Sequence, residues 1–238
     1  MYILLDANVT AGYYLPRSLN SSAVAERIRI IFDSVRSGAS KHFFYIPNFC
    51  VAEVFNVFMK YAYGHWNPHV RKTGGTIDKR IYGGLIKQFQ NDIHNGRFLY
   101  HYELSRYHVL GINLVAPIDH YYKFTHNPRS SPMGTFDHLI ISMGIHLAHI
   151  HGPENTVIIS SDKRLTDILD KCRGGLTQKT IDKLKLNIAE EVTGRPFSPS
   201  LFPKCCNLRS ARKRDLEQLF GIWPLPINGK IHGVYRSI

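Results

Sequence analysis

The sequence predicts a parallel α/β fold from two observations: short apolar runs that end in an acid or a turn residue, and helix-periodic segments that alternate with them. Residues 2–5 (Tyr-Ile-Leu-Leu) are an apolar run closed by Asp6 and read as a buried strand. Leu19 to Arg36 places Val24, Ile28, Ile31 and Val35 on one helical stripe, with Ser21 or Ser22 as cap, whereas Val9 to Tyr14 shows no clear helical pattern. Phe43 to Ile46 is a second strand closed by Pro47-Asn48, and Phe49 to Tyr61 an apolar helix with one acid, Glu53. Trp66 to Gly75 reads as loop, Thr76 to His94 as a helix interrupted at Gly83-Gly84, and Arg97 to Glu103 as a third strand. A helix follows from about Ser105 that Pro117 ends or kinks. Asn127 to Gly134 is loop chemistry, and Phe136 to Ile150 is apolar nearly all round, hence a buried helix. Thr156 to Ser160 is a fourth strand and Lys163 to Asp170 a short helix. Farther on, Thr177 to Glu191 reads as helix, Arg195 to Pro203 as loop, Lys204 to Leu208 as a last strand and Arg212 to Phe220 as an amphipathic helix. The alternation calls for a central parallel sheet of four or five strands flanked by helices in three layers.

The 238 residues suffice for one large or two small domains. No apolar run reaches the roughly 18 residues of a membrane span. The opening carries no basic leader and meets an acid at its sixth residue, so the expected location is cytoplasmic. Four cysteines without a Cys-x-x-Cys pair suggest neither a disulfide framework nor a zinc knuckle. The glycine pairs match neither the dinucleotide nor the Walker phosphate pattern.

Lys and Arg total 30 against 18 Asp and Glu, a formal charge of +12. The excess is concentrated in two segments, Lys60 to Arg97 and residue 196 onward, each with seven basic residues and two acids. Such charge attracts polyanions, of which nucleic acid is the commonest in a cytosol. Tyr61, Tyr63, Trp66 and Tyr82 interleave with the first segment as base-stacking side chains do, and equally as local core does.

Four carboxylates hold comparable places. Asp6 ends the first strand, Glu53 lies early in the helix after the second, Asp137 is in the first turn of the buried helix, and Asp162 follows the fourth strand. Sites in open parallel sheets form outside the carboxyl ends of strands. Four converging carboxylates would repel unless cations sat between them, and an all-oxygen set suits Mg²⁺ or Mn²⁺. Each acid also has a plainer reading: Asp6 as a turn or cap, Asp162 as a helix cap, Asp137 as a partner of the helix dipole, and Glu53 as part of an exposed edge with Asn56 and Lys60. His146, His149 and His151 read as satisfied or capping histidines.

The order Leu5-Asp6-Ala7-Asn8-Val9, Ala52-Glu53-Val54, Thr135-Phe136-Asp137-His138-Leu139-Ile140-Ile141 and Ile158-Ile159-Ser160-Ser161-Asp162 resembles the PIN-domain family of metal-dependent ribonucleases over residues 1–60 and 97–170. The resemblance implies that Asp6, Glu53, Asp137 and Asp162 bind one or two Mg²⁺ or Mn²⁺ ions that activate water against an RNA phosphodiester, with Asn8 and Ser160 supporting the cluster. It implies a single PIN-like domain over 1–238 with a helical insertion near 61–96 and a basic extension from about 196. Lys60, Arg129, Lys163 and Arg164 are candidate phosphate contacts from charge and location. The expected partner is nucleic acid, RNA ahead of DNA; a homodimer and an antitoxin-like protein partner are also open. The extra length lies in the two basic segments, which favours nucleic-acid binding over the toxin role. The alternatives are a catalytically silent PIN-like module that binds RNA or protein, and a structure-selective DNA nuclease.

Overall fold

The computed structural model describes residues 1–20, 22–63, 77–96, 98–126, 131–174 and 176–227. Its strands are β1 (Tyr2–Leu5), β2 (Phe43–Pro47), β3 (Leu99–Tyr102), β4 (Thr156–Ser160) and β5 (Lys204–Asn207). They form a five-stranded, all-parallel sheet flanked by helices, in the order β3-β2-β1-β4-β5. The helices are α1 (Ala7–Tyr14), α2 (Ala23–Arg36), α3 (Asn48–Tyr63), α4 (Lys79–His94), α5 (Arg106–His126), α6 (Thr135–His151), α7 (Lys163–Gly174), α8 (Gln178–Lys183), α9 (Ala189–Thr193) and α10 (Lys213–Phe220). No described helix is long and apolar enough to cross a membrane.

By contact density the chain divides into two compact units, Met1–Asp6 with Tyr102–Asn207, and Ala7–His101 with Leu208–Ile238. In the first unit, β1 pairs with β4 and β4 with β5, both parallel, with Leu5 opposite Ile159 and Ile159 opposite Cys206. Ile3, Leu4, Leu5, Val157, Ile158 and Ile159 are all fully buried. Covering on both faces explains why these strands read as unbroken apolar runs without alternation. At the amino end of β1, Tyr2 stacks on His151, ring centroids 3.6 Å apart, a structural use for that histidine.

The second unit is built around aromatic rings. Phe32 and Phe44 lie 4.7 Å apart by ring centroid, Tyr13 stacks on Phe32 at 4.6 Å, and Tyr14 meets Phe89 edge-on at 5.1 Å. Polar tips on these rings find acceptors: Tyr13 Oη donates to Asp33 and Tyr14 Oη to Asp92, each at 2.8 Å. Arg36 also bonds Asp92, and its guanidinium lies 4.4 Å from the Phe98 ring centre. Arg27 Nη1 donates to the Leu208 carbonyl at 2.6 Å, tying the later segment of this unit to α2.

Three local expectations are corrected and one is narrowed. Val9 to Tyr14 is helical within α1; nearly every residue of that helix is buried, so no amphipathic period is visible in the sequence. Helix α4 is unbroken at Gly83-Gly84, because Asp78 caps it through the Arg80 and Ile81 amides and Leu85 and Phe89 anchor it. Of the two outcomes expected at Pro117, an end to the helix does not occur, since α5 runs through it; Leu114, Val115 and Ile118 around it are fully buried, and that burial offsets the roughly 3 kcal/mol an internal proline costs. Residues 177–191 form no single helix: Lys185 adopts φ 52°, separating α8 from a 3₁₀ turn and α9, and so turns Leu186 and Ala189 into the core. The expected loop 66–75 lies outside the described residues.

Two glycine sites respond oppositely to a methyl group. A Cβ at Gly144 would sit 2.6 Å from Ile158 Cδ1 and 3.1 Å from Pro203 Cγ, whereas one at Gly83 meets nothing within 4 Å. Gly144→Ala is expected to destabilise the protein by about 1–3 kcal/mol through overpacking. Gly83→Ala is expected to stabilise it by up to about 1 kcal/mol through helix propensity. Urea denaturation of both variants checks the contrast.

Candidate active site

Parallel pairing of β1 with β4 brings the residues that follow their last paired positions together. The Asp6 amide donates to the Ile159 carbonyl at 3.2 Å, extending the ladder one residue beyond β1. Ser160 Oγ donates to Asp6 Oδ2 at 2.6 Å, both residues being buried, and accepts from the Asp162 amide at 2.9 Å. One hydroxyl therefore links the two strand-end acids. Asp162 Oδ1 accepts the Arg164 amide at 2.7 Å and the Leu165 amide at 3.4 Å, so the acid does cap α7. Its Oδ2 has no hydrogen-bond partner among the described residues.

Asp137 arrives from α6. Its Oδ2 accepts the Gly134 amide at 3.2 Å, a capping bond that leaves Oδ1 without a partner among the described residues. Partial burial raises the Asp137 pKa, against the Gly134 hydrogen bond, which lowers it; the Asp162 charge raises it further, and His138 and Arg164 lower it. Asp137, Asp162 and Arg164 thus lie within electrostatic reach of one another at one end of β1 and β4. The plain capping reading is correct for Asp137 and Asp162 and engages only one oxygen of each.

Behind these groups is an acid that sequence reasoning passed over. Asp119 on α5 is only 1% exposed; its Oδ2 accepts the Met133 amide at 2.7 Å and sits 3.2 Å from His138 Nε2, while Oδ1 lies 3.7 Å from Arg164 Nη2. A buried carboxylate needs such partners. The signal was available, since Asp119 follows Leu114, Val115 and Ile118 in an apolar helix, the circumstance that drew attention to Glu53.

The remaining candidates are placed as follows. Lys163 is 82% exposed and 3.9 Å from Asp167, a surface pair on α7. Glu53, Asn8 and Lys60 belong to the second unit. Glu53 is half-buried on α3, beside the stripe Cys50, Val54 and Phe58, and Asn56 and Lys60 on its own side are exposed. Asn8 is exposed in α1. Arg129 lies outside the described residues.

Among the described residues no three His, Cys, Asp or Glu side chains are arranged to hold a metal ion. The donor chemistry nevertheless fits a hard cation. Mg²⁺ takes one or two carboxylates and keeps most of its waters, and Asp137 Oδ1 with Asp162 Oδ2 supplies two such oxygens beside the Asp6–Ser160 pair. No protein-family model matches the chain, and no curated protein matches it.

Because the raised pKa of Asp137 means that folding favours its protonated form, the ionised carboxyl costs stability once pH rises above its unfolded value, and nothing below it. Asp137→Asn keeps the cap acceptor without the charge. The melting temperature of this variant relative to wild type is expected to rise as pH goes from about 3 to 7. A difference that stays flat across that range would contradict the electrostatic account.

Proposed function

We propose that this chain is a PIN-like, divalent-metal-dependent endoribonuclease. The observation that supports it best is the linked set at the carboxyl ends of two adjacent parallel strands: Asp6 and Asp162 joined through Ser160, with Asp137 in electrostatic reach of Asp162. Asp137 and Asp162 would hold Mg²⁺ or Mn²⁺, with Asp6 and Glu53 the further carboxylates of the family pattern. When bound, the ion supplies an activated water and neutralises charge that develops on the phosphodiester. Ser160 orients the Asp6 carboxylate, and Asp119 holds Arg164 toward the acids, where the guanidinium meets a phosphate oxygen. The net charge of +12 supports a polyanionic partner, and RNA is the substrate we favour over DNA. We place the protein in the cytoplasm. A homodimer and an antitoxin-like partner are compatible with this reading and contribute no residue to it.

A second reading has its own observation. The lack of a three-ligand metal group among the described residues favours a silent PIN-like module that binds RNA or protein without cutting it.

The deciding experiment incubates labelled single-stranded RNA, structured RNA and matching DNA with the protein in Mn²⁺, Mg²⁺ or EDTA. We expect metal-dependent cutting of RNA, abolished by EDTA and reduced at least about a hundredfold by Asp137→Asn, since loss of one charge-stabilising group typically costs that much. RNA binding with no cutting in any metal would establish the silent module. Arg164→Ala is expected to weaken binding to all RNA sequences alike and to reduce the salt dependence by about one phosphate contact.

A further inference from the structure

The second unit leaves part of its sheet open to solvent. Along β2, alternate side chains take opposite faces, so Phe44 and Ile46 point one way and Phe43 and Tyr45 the other. Phe44 and Ile46 are fully buried, with Phe44 against Phe32 of α2, and Leu99 of neighbouring β3 is fully buried as well. The opposite face carries three rings. Phe43 is 42% exposed, Tyr100 of β3 is 37% exposed and Tyr45 is half-buried. Tyr100 joins the other two, its ring centroid 6.0 Å from that of Phe43 and 5.9 Å from that of Tyr45. These pairs are tilted by 48° and 38°, so Tyr100 is not stacked flat on either. A single aromatic side chain on a surface needs no explanation, but adjoining rings on one face form an apolar patch, and such patches mark contact surfaces.

The same unit holds nearly all of the net charge. Residues 7–101 and 208–238 carry 18 Lys and Arg against 7 Asp and Glu, a balance of +11, whereas the other unit carries 12 against 11. Lys41, two residues before Phe43, is exposed and makes no ion pair among the described residues. This charge selects the occupant of the aromatic face. A second copy would bring like charge against like charge, whereas a polyanion is attracted. Among polyanions, a single strand of nucleic acid also offers flat faces to aromatic rings, because its bases can unstack, while those of a duplex are already stacked on one another.

We propose that the face formed by Phe43, Tyr45 and Tyr100 binds the unpaired bases of single-stranded nucleic acid. Bases stack on the rings, and the positive charge of the unit, Lys41 included, attracts the phosphates. The face shares no residue with the carboxylate set of Asp6, Asp137 and Asp162, needs no metal, and stands whether or not the chain cuts RNA.

The test titrates the full chain, in EDTA, into a fluorescent single-stranded RNA of about 12 nucleotides and into the same strand annealed to its complement, followed by anisotropy. The single strand is expected to bind at least about tenfold more tightly than the duplex, since only its bases can stack on the rings. Phe43→Ala and Tyr100→Ala are each expected to weaken single-strand binding about tenfold, the worth of one base stack, while duplex affinity, the salt dependence and the circular dichroism stay unchanged. Tyr100→Phe keeps the ring and should bind as wild type does. Equal affinity for single strand and duplex in wild type, or undiminished single-strand binding by the alanine variants, would overturn the proposal. So would wild-type dimers in sedimentation that the alanine substitutions dissociate, because the face would then be an interface between copies. With no metal or cleavage in the measurement, a failed nuclease assay leaves this proposal standing, and alanine variants that bind normally leave the nuclease reading standing.

Discussion

The bond from Ser160 Oγ to Asp6 Oδ2 is the constraint around which the first unit's polar end is organised. It joins two buried side chains across the seam of β1 and β4, where a carboxylate without a donor would cost several kcal/mol. The hydroxyl also accepts the Asp162 amide, so it fixes the start of α7 relative to the end of β1. Parallel register makes this possible: Leu5 opposite Ile159 sets Asp6 beside Ser160, and a slip of one residue would move every side chain to the other face.

The acids near that seam are each partly neutralised by ordinary structural bonds. Asp162 caps α7, Asp137 closes the first turn of α6, and Asp119 satisfies the Met133 amide and faces His138 and Arg164. Capping therefore serves as positioning, because one oxygen of Asp137 and of Asp162 is held by backbone amides while the other makes no hydrogen bond among the described residues. The arrangement stores electrostatic cost at Asp137, where burial and the Asp162 charge both oppose ionisation.

The histidines illustrate a different principle. His151 is consumed by stacking on Tyr2, and His146 by the Tyr102 and His108 bonds, which agrees with reading them as satisfied groups. Satisfaction on one side of a ring still determines what the other side presents. A backbone amide at Ser105 donates to His108 Nδ1 and so puts the His108 ring proton on Nε2, the nitrogen that faces Tyr102 and His146.

The sequence by itself determined the α/β class, because strand runs and helix stripes are local patterns: β1, β4 and α6 were legible within a residue or two, and so was the placement of Asp6, Asp137 and Asp162 at strand ends and helix starts. It did not reveal α1, whose burial on all sides erases amphipathic period, nor the passage of α5 through Pro117, where packing overrides a local penalty. Asp119, Tyr102 and His108 were also invisible as a set, since most of their partners, His146, Met133, His138 and Arg164, lie far along the chain on other elements. Tertiary structure alone decided which carboxylates share a hydroxyl, and which side chains meet His146 Nδ1. The physical reason is that hydrophobic periodicity records only what one element buries, whereas hydrogen-bond partners and electrostatic neighbours are chosen when distant elements meet.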